Sequence, residues 1–430
     1  MINKNKYTAF NKKLYYSTHL LGPHIEFYNS PSNFNKVDLH TNYVKFQRKI
    51  SKSIGNLLEC EKYNVYLNKM IVTEMLKQIN TVLTTPDLYW QNLGFDSNVS
   101  SNSNYGVNSN SNSDVSNIKK TYQMYKLFLE SYADRIINTK TTKTEKMYQI
   151  AICDSLGMKV LPKDLQLFGI IMVKQICEEI KKIGFDKNQK SDTIKTSSEL
   201  VSETMKLILS IYDKIKDSCQ NLVIPEPHKI KIKALPLLRE VGIMVSDRIL
   251  YLNFTKPEIY TKDLLELICL QNVIPGKIML KMNANSNLLK IDAFNDGIAS
   301  YFQYKHSNNK LLCLVDQLIN ATKIIVDTGL HSKDVDIVLS IDESVGLVKT
   351  IARFVSNVRS ITDEEITNMI MQILAMPAKE SASGFGYFSI KKVEELMLLK
   401  KYTESDICEM LYTTPLPHDL LMSYVENYKN

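Results

Sequence analysis

A chain of 430 residues with 44% apolar and 23% charged side chains is long enough for two or three lobes around a sizeable core. Its net charge of +7 comes from scattered lysines such as Lys181-Lys182, Lys391-Lys392 and Lys400-Lys401, and no block is dense enough to signal a nucleic-acid binder. With only 14 glycines and 12 prolines an all-β fold is disfavoured, and no apolar run reaches the ~18 residues of a membrane span.

Residues 40–85 read as helical, because Tyr43, Phe46, Ile50 and Ile54, then Val65, Met70, Ile71 and Met75, recur at helical spacing. Residues 96–117 form a Ser/Asn tract with too few apolar side chains to offset the entropy of ordering, so a disordered surface insertion is expected. A helix resumes over about 119–137, with Tyr122, Tyr125, Leu129 and Tyr132 on one face. Leu161-Pro162-Lys163-Asp164 starts a helix that runs to Gly184, a glycine suited to a helix end. A second disordered stretch is expected at 187–196 and another helix at 198–219. The alternation in 228–234 and the run 248–254 read as strands. Beyond Pro257 helices are expected at 262–271, 294–306, 311–328, 334–340, 342–358, 363–374, 389–399 and 404–412. The fold class is therefore mainly α with a small central β-sheet, divided into an N-terminal helical lobe, 1–223, and a C-terminal lobe, 224–430.

The seven cysteines (Cys60, Cys153, Cys177, Cys219, Cys269, Cys313 and Cys408) are odd in number, widely spaced and without a C-x-x-C pair. They read as reduced thiols, and no apolar segment follows the N-terminal Met1–Lys6 as in a signal peptide, so a cytoplasmic location is expected. The histidines show no H-x-x-x-H spacing, Gly384-Phe385-Gly386 is too short for a phosphate loop, and no serine nucleophile elbow is present.

Several segments in collinear order carry a family likeness. His19–His24 resembles an early turn, and Leu161–Val173 is similar to L-x-P-x-x-[IL]-x-x-x-G-L-x-E-V, with Met172 at the Glu. Tyr251-Leu252-Asn253 looks like a strand before a metal helix, and Gln271–Ile278 resembles H-E-x-x-P-G-H-H with only its Pro275-Gly276 kept. Phe294–Tyr301 resembles F-x-E-G-W-A-x-Y, and Val326–His331 closely matches V-D-T-G-[LI]-H. Pro377–Gly386 resembles P-G-Q-A-x-x-Y-x-x-G, and Leu416-Pro417 with Leu420-Leu421 resembles a closing G-x-x-P-L-x-x-L. Together they resemble the domain-of-unknown-function 885 family, whose members look like helical zinc metallopeptidases with a central cleft.

The resemblance implies two zinc histidines, a carboxylate ligand and a Glu that takes a proton from bound water. Those positions fall on Gln271, Asn272, Lys277, Ile278 and Asp296, of which only Asp296 has a carboxylate. One ligand does not make a tetrahedral zinc site, and the Asn272 amide is no general base. No catalytic residue, metal or other cofactor is therefore expected. Lys277 is expected either to reach solvent or to face Asp296, with a nitrogen–oxygen separation within about 4 Å if they pair. Asn253, Tyr301, Lys323, His331 and Ser383 are candidate cleft contacts; Asn320 and Lys323 replace an Arg, and Ser383 a Tyr, of the resembled pattern. Alone, His331 reads more simply as a hydrogen-bonded structural residue, Asp327 and Thr328 as helix-joining residues, and Gly297, Gly329 and Gly386 as backbone-geometry residues. Three functions stay open: an inactive metallopeptidase-like protein that binds a peptide or protein partner, an active hydrolase with an unrecognised site, or an assembly component, for instance of a virus particle. Extended-peptide pairing along the strand that ends at Asn253 is the binding mode the first suggests.

Overall fold

The computed structural model describes residues 36–63, 66–67, 69–84, 114–137, 144–184, 192–217, 219, 221–234, 244–246, 248–283, 291–413 and 418–427. The expected His19–His24 turn and Leu416-Pro417 lie outside these residues, as do most of the Ser/Asn tract and residues 187–191. The described chain is mainly helical with one small sheet. It divides into two compact units, Met1–Lys143 with Pro236–Glu240, and Thr144–Leu235 with Val241–Asn430. The division falls at Thr144 instead of 224, because the helix from Pro162 packs along the helix that ends at His331 and belongs with it.

The first unit contains α1 (Lys36–Glu61), α2 (Lys69–Thr84) and α3 (Asp114–Ile137). The helical reading of 40–85 corresponds to α1 and α2, parted after Glu61 where Tyr63 turns back on the Cys60 carbonyl. The last residues of the expected insertion, 114–117, are the first turn of α3. Ile50, Leu57, Ile79, Tyr125 and Leu129 are fully buried between these helices. Their polar ends are satisfied: the Tyr125 hydroxyl meets Ser53 Oγ at 2.8 Å, and Leu67 N donates to the Tyr132 hydroxyl at 3.1 Å. Arg135 forks onto Glu61 at 2.6 and 3.3 Å, tying the ends of α1 and α3.

The second unit opens with α4 (Thr144–Leu156), α5 (Pro162–Ile183) and α6 (Ser197–Ile215). Residues 192–196, expected to be disordered, are ordered: Thr193 bridges to Thr261, Ile194 is fully buried, and the Thr196 hydroxyl caps α6 by accepting from Glu199 N. Strands β1 (Lys231–Ala234), β2 (Met244–Ser246) and β3 (Ile249–Leu252) form one sheet with β3 in the centre, parallel to β1 and antiparallel to β2. Then follow α7 (Lys262–Asn272), α8 (Lys277–Asn283), α9 (Asp292–His306), α10 (Lys310–His331), α11 (Ile341–Val355), α12 (Asp363–Ala375), α13 (Lys379–Leu399), α14 (Glu404–Thr413) and α15 (His418–Asn427).

Helix α10 is the spine. It is buried on most of its circumference, between α5 and α13, as its nearly all-round apolar sequence requires. The α9–α13 crossing is closer still. A methyl group on Gly386 would lie 1.8 Å from the Ala293 carbonyl oxygen, and one on Gly297 would lie 2.4 Å from the Gly386 carbonyl carbon. Only two backbones without side chains approach this way. That contact keeps 379–388 helical despite its serines and glycines, so α13 begins ten residues before the expected 389.

The helix expected at 334–340 is absent. Gln166, 1% exposed on α5, donates from Nε2 to the Ile337 carbonyl at 2.8 Å and accepts from Ile337 N at 2.8 Å. Leu339 N donates to the Gly329 carbonyl, and Ser340 caps α11 in a capping box with Glu343. The backbone groups a helix would use are taken by these partners.

Candidate functional site

The segment resembling a metal box is a tight reversal between α7 and α8. Val273 N and Ile274 N both bond the Cys269 carbonyl, and the Tyr412 hydroxyl donates to the Pro275 carbonyl. A methyl group on Gly276 would sit 1.8 Å from the Gln271 carbonyl oxygen, so the chain doubles back closely enough to exclude any side chain there. Both helices then present a side chain to one face of α9. Lys277 Nζ lies 2.8 Å from Asp296 Oδ1, and Gln271 Nε2 lies 3.5 Å from Ser300 Oγ, one helical turn further on.

The other two box positions turn away. Asn272 is buried and donates from Nδ2 to the Ile268 carbonyl of its own helix at 3.0 Å. Ile278 is 1% exposed within the main core. Met172, at the Glu of the resembled pattern, packs against the cluster of Ile176, Leu314 and Leu318.

The pair is electrostatically coherent. Burial alone would push the Asp296 carboxyl up, but the Lys277 ammonium hydrogen bonded to it, with Lys379 and Lys323 beyond, holds it below the ordinary range. Asp292, one turn earlier on α9, is pushed up by burial, partly offset by Lys379, and accepts from Ser155 Oγ at 3.3 Å. Lys323 of α10 meets Glu380 of α13 at 2.8 Å; burial presses the lysine down, but the Glu380 charge, its hydrogen bond and the Asp316 charge together keep it raised. Asn320 donates to the Tyr304 hydroxyl at 3.2 Å, which itself donates to Asp316 at 2.7 Å.

These donors do not fit a divalent cation. Gln271 has a neutral amide, Lys277 places an ammonium on the one carboxylate of the set, and Asn272 and Ile278 face elsewhere. Among the described residues no group of three His, Cys, Asp or Glu side chains is arranged to hold a metal ion.

The remaining candidate contacts have local duties. Asn253 is 3% exposed, and its Oδ1 accepts from Thr255 N, Thr255 Oγ1 and Lys256 N, closing the turn after β3. Because β3 already has a partner on each side, the strand ending at Asn253 offers no free edge to a peptide. Tyr301 is buried and donates to Glu394, which also holds Lys305 at 2.9 Å. Ser383 is half-buried on α13, one turn beyond Glu380. A small pocket beside Ala293, Phe294, Phe385 and Ser389 is lined by none of the candidate residues.

The Val326–His331 segment is held by buried contacts. Asp327, fully buried, accepts from Ala378 N at 3.2 Å and Ser381 Oγ at 2.6 Å, fastening the start of α13 to α10. Burial pushes its carboxyl up to about 7 although Ser381 and Ala378 pull the other way, with the Glu380 charge adding to the rise. His331 stacks on Tyr148 at 5.2 Å, and its Nε2 lies 3.1 Å from the Ile373 carbonyl. Burial presses its imidazole down to about 4, so it is neutral and donates from Nε2. Thr328 Oγ1 bonds the Ile324 carbonyl at 2.7 Å.

Sequence reasoning missed Glu380, Lys379 and Asp292. Asp292 could have been found as the i−4 neighbour of Asp296 on one helix face. Lys379 and Glu380 carried no signal, since nothing local says that their helix begins at the Pro377-Ala378 turn.

No family model matches this chain, and no curated protein does. Among solved structures it is similar to the crystal structure of a "putative lipoprotein" from Colwellia psychrerythraea, with a TM-score of 0.70 and 14% identity. The match covers 94% of this chain and 78% of that one, and at this identity it shows a shared fold alone. Among the described residues no helix is long and apolar enough to cross a membrane.

Proposed function

We propose that the chain is a catalytically silent relative of the helical zinc metallopeptidases that the domain-of-unknown-function 885 proteins resemble, and that it acts as a binding or structural component. The observation that carries this reading is the Lys277–Asp296 contact at 2.8 Å, with Gln271 on the next turn of the same α9 face. An ammonium there supplies the positive charge that a cation would bring to Asp296, and activates no water. Two further points support the kinship. Ala378 has φ 69, a left-handed conformation that suits the glycine of the resembled P-G-Q-A pattern. The Gly297–Gly386 contact joins two separate segments of the resemblance. A partner would be a peptide or protein, bound without cleavage.

The purified protein should carry far less than one zinc per chain by elemental analysis. The combined variant Q271H/N272E/K277H/D296E should bind about one equivalent, because two histidines would then join the α9 carboxylate as a set of three ligands. A full equivalent of zinc in the unaltered chain, or chelator-sensitive peptide cleavage by it, overturns the reading.

A further inference from the structure

Two thiols far apart in sequence meet in the core of the second unit. Cys219 lies in the turn after α6 and Cys408 lies in α14; they are 3% and 2% exposed and share one apolar cluster. Their thiols are hydrogen bonded to each other. A separate contact fixes the same juxtaposition: Asn221 Nδ2 donates to Glu409 Oε2 at 3.0 Å, seating the turn on the helix one residue beyond Cys408. The turn's backbone is set by Cys219 N on the Ile215 carbonyl at 3.2 Å and Leu222 N on the Cys219 carbonyl at 3.0 Å.

We propose that Cys219 and Cys408 are a redox-active dithiol, a modification site at which a peroxide-class oxidant closes a disulfide between the turn after α6 and helix α14.

The two sulfurs are unequal. The hydrogen bond from Cys408 holds the Cys219 thiol below its ordinary range against burial, and the same bond together with burial pushes Cys408 up. Burial pushes Cys269 up as well, and Cys313 to about 11. Cys219 sits in the turn that the exposed Asn221–Glu409 bond closes, so it is the sulfur an oxidant reaches first and the attacking thiolate. Its sulfur takes one oxygen from hydrogen peroxide, giving a sulfenic acid and, with the displaced hydroxide protonated, one water. The Cys408 sulfur then attacks that sulfenic sulfur, the S–S bond forms as the S–O bond breaks, and the hydroxyl leaves with the Cys408 proton as a second water. The two thiols lose two electrons and the peroxide gains them.

Access is through the turn, because the Asn221–Glu409 bond that seats it on α14 is exposed to solvent. Opening that contact uncovers Cys219 without unfolding the helices beneath it.

The test treats the full chain with hydrogen peroxide, blocks residual thiols with N-ethylmaleimide and maps peptides by mass spectrometry. The expected result is a Cys219–Cys408 cross-linked peptide, reversed by dithiothreitol and absent from C219S and C408S. N221A should speed its formation about fivefold, since one exposed hydrogen bond guards it. If C219S does not fold, the unaltered chain and N221A still decide the matter. Maleimide labelling of both cysteines after peroxide has oxidised other thiols, or a cross-link that forms only in urea, overturns the proposal.

Discussion

The anchor between α10 and α13 makes a sharp prediction about pH. Asp327 and His331 are one turn apart, with His331 Nε2 3.7 Å from Asp327 Oδ1, and both are perturbed by the same burial in opposite senses. Glu380 of α13 and Tyr148 of α4 are the other titratable groups near the Asp327 carboxylate. Asp327 is raised to about 7 from 3.8, so the folded chain holds its proton where the unfolded chain has lost it. Stability from this group is full below pH 3.8 and is lost as pH rises to about 7. Roughly three pH units at about 1.4 kcal/mol each make about 4 kcal/mol. His331 is lowered to about 4 from 6.5, so its contribution is full above pH 6.5 and is lost as pH falls to about 4. That amounts to about 3 kcal/mol. The windows overlap and the two effects nearly cancel, so the pair leaves the stability of the unaltered chain almost flat from pH 4 to 7. Asp327→Asn keeps one acceptor for Ala378 N or Ser381 Oγ and removes the titrating carboxyl. Relative to the unaltered chain, it should be about 4 kcal/mol more favourable at pH 8 than at pH 4. Urea unfolding followed by circular dichroism at both pH values measures this difference, in which all other titrations cancel. A difference that is constant with pH within ~0.5 kcal/mol, below the scale on which distant effects fail to add, refutes the reasoning.

Three further outcomes are expected. In a double-mutant cycle on Lys277→Met and Asp296→Asn, the coupling should be about 1 kcal/mol, between exposed and buried pairs, because Lys277 is 37% and Asp296 19% exposed; a coupling near zero in urea titrations would deny the pair its role. Gly386→Ala should cost about 3 kcal/mol or more through the Ala293 clash, whereas Gly346→Ala, which meets nothing within 4 Å on α11, should gain about 0.5–1 kcal/mol in thermal melts. Gln166→Ala should cost about 2–4 kcal/mol by leaving both polar groups of Ile337 unpaired, and hydrogen exchange at that amide should accelerate.

Much of the fold could be read from periodicity, because long amphipathic stretches announce the face they bury. Tyr125, Leu129 and Tyr132 mark the inner face of α3, and the run from Leu311 marks α10 as buried nearly all round. Misreadings occurred where a distant partner overrides local preference. Residues 334–340 have a helical pattern, but Gln166 claims the backbone of Ile337. Residues 379–388 are rich in poor helix formers, yet α9 demands that they be small and helical. The strand 244–246 and the helix 144–156 went unread for the reverse reason, being too short or too weakly patterned to stand out.

The site followed the same division. Chemistry that lives on one residue type can be read without neighbours: an ammonium, an amide and an isoleucine are not zinc ligands. For Lys277 the sequence left two outcomes open, solvent or Asp296, and the 2.8 Å separation decides for Asp296. What each other replacement would do depended on company that the sequence leaves unnamed. A buried amide costs free energy unless its groups are bonded, so Asn272 folded back onto the Ile268 carbonyl. Asn253 for the same reason closed its own turn. Lys323, which might have reached Asp296, is instead drawn to Glu380, a residue whose position depends on Asp327 fixing the start of α13. Each of these side chains thus found the nearest group able to satisfy it. Lys277 follows the same rule, since its ammonium meets the Asp296 carboxylate that α9 carries to the reversal between α7 and α8.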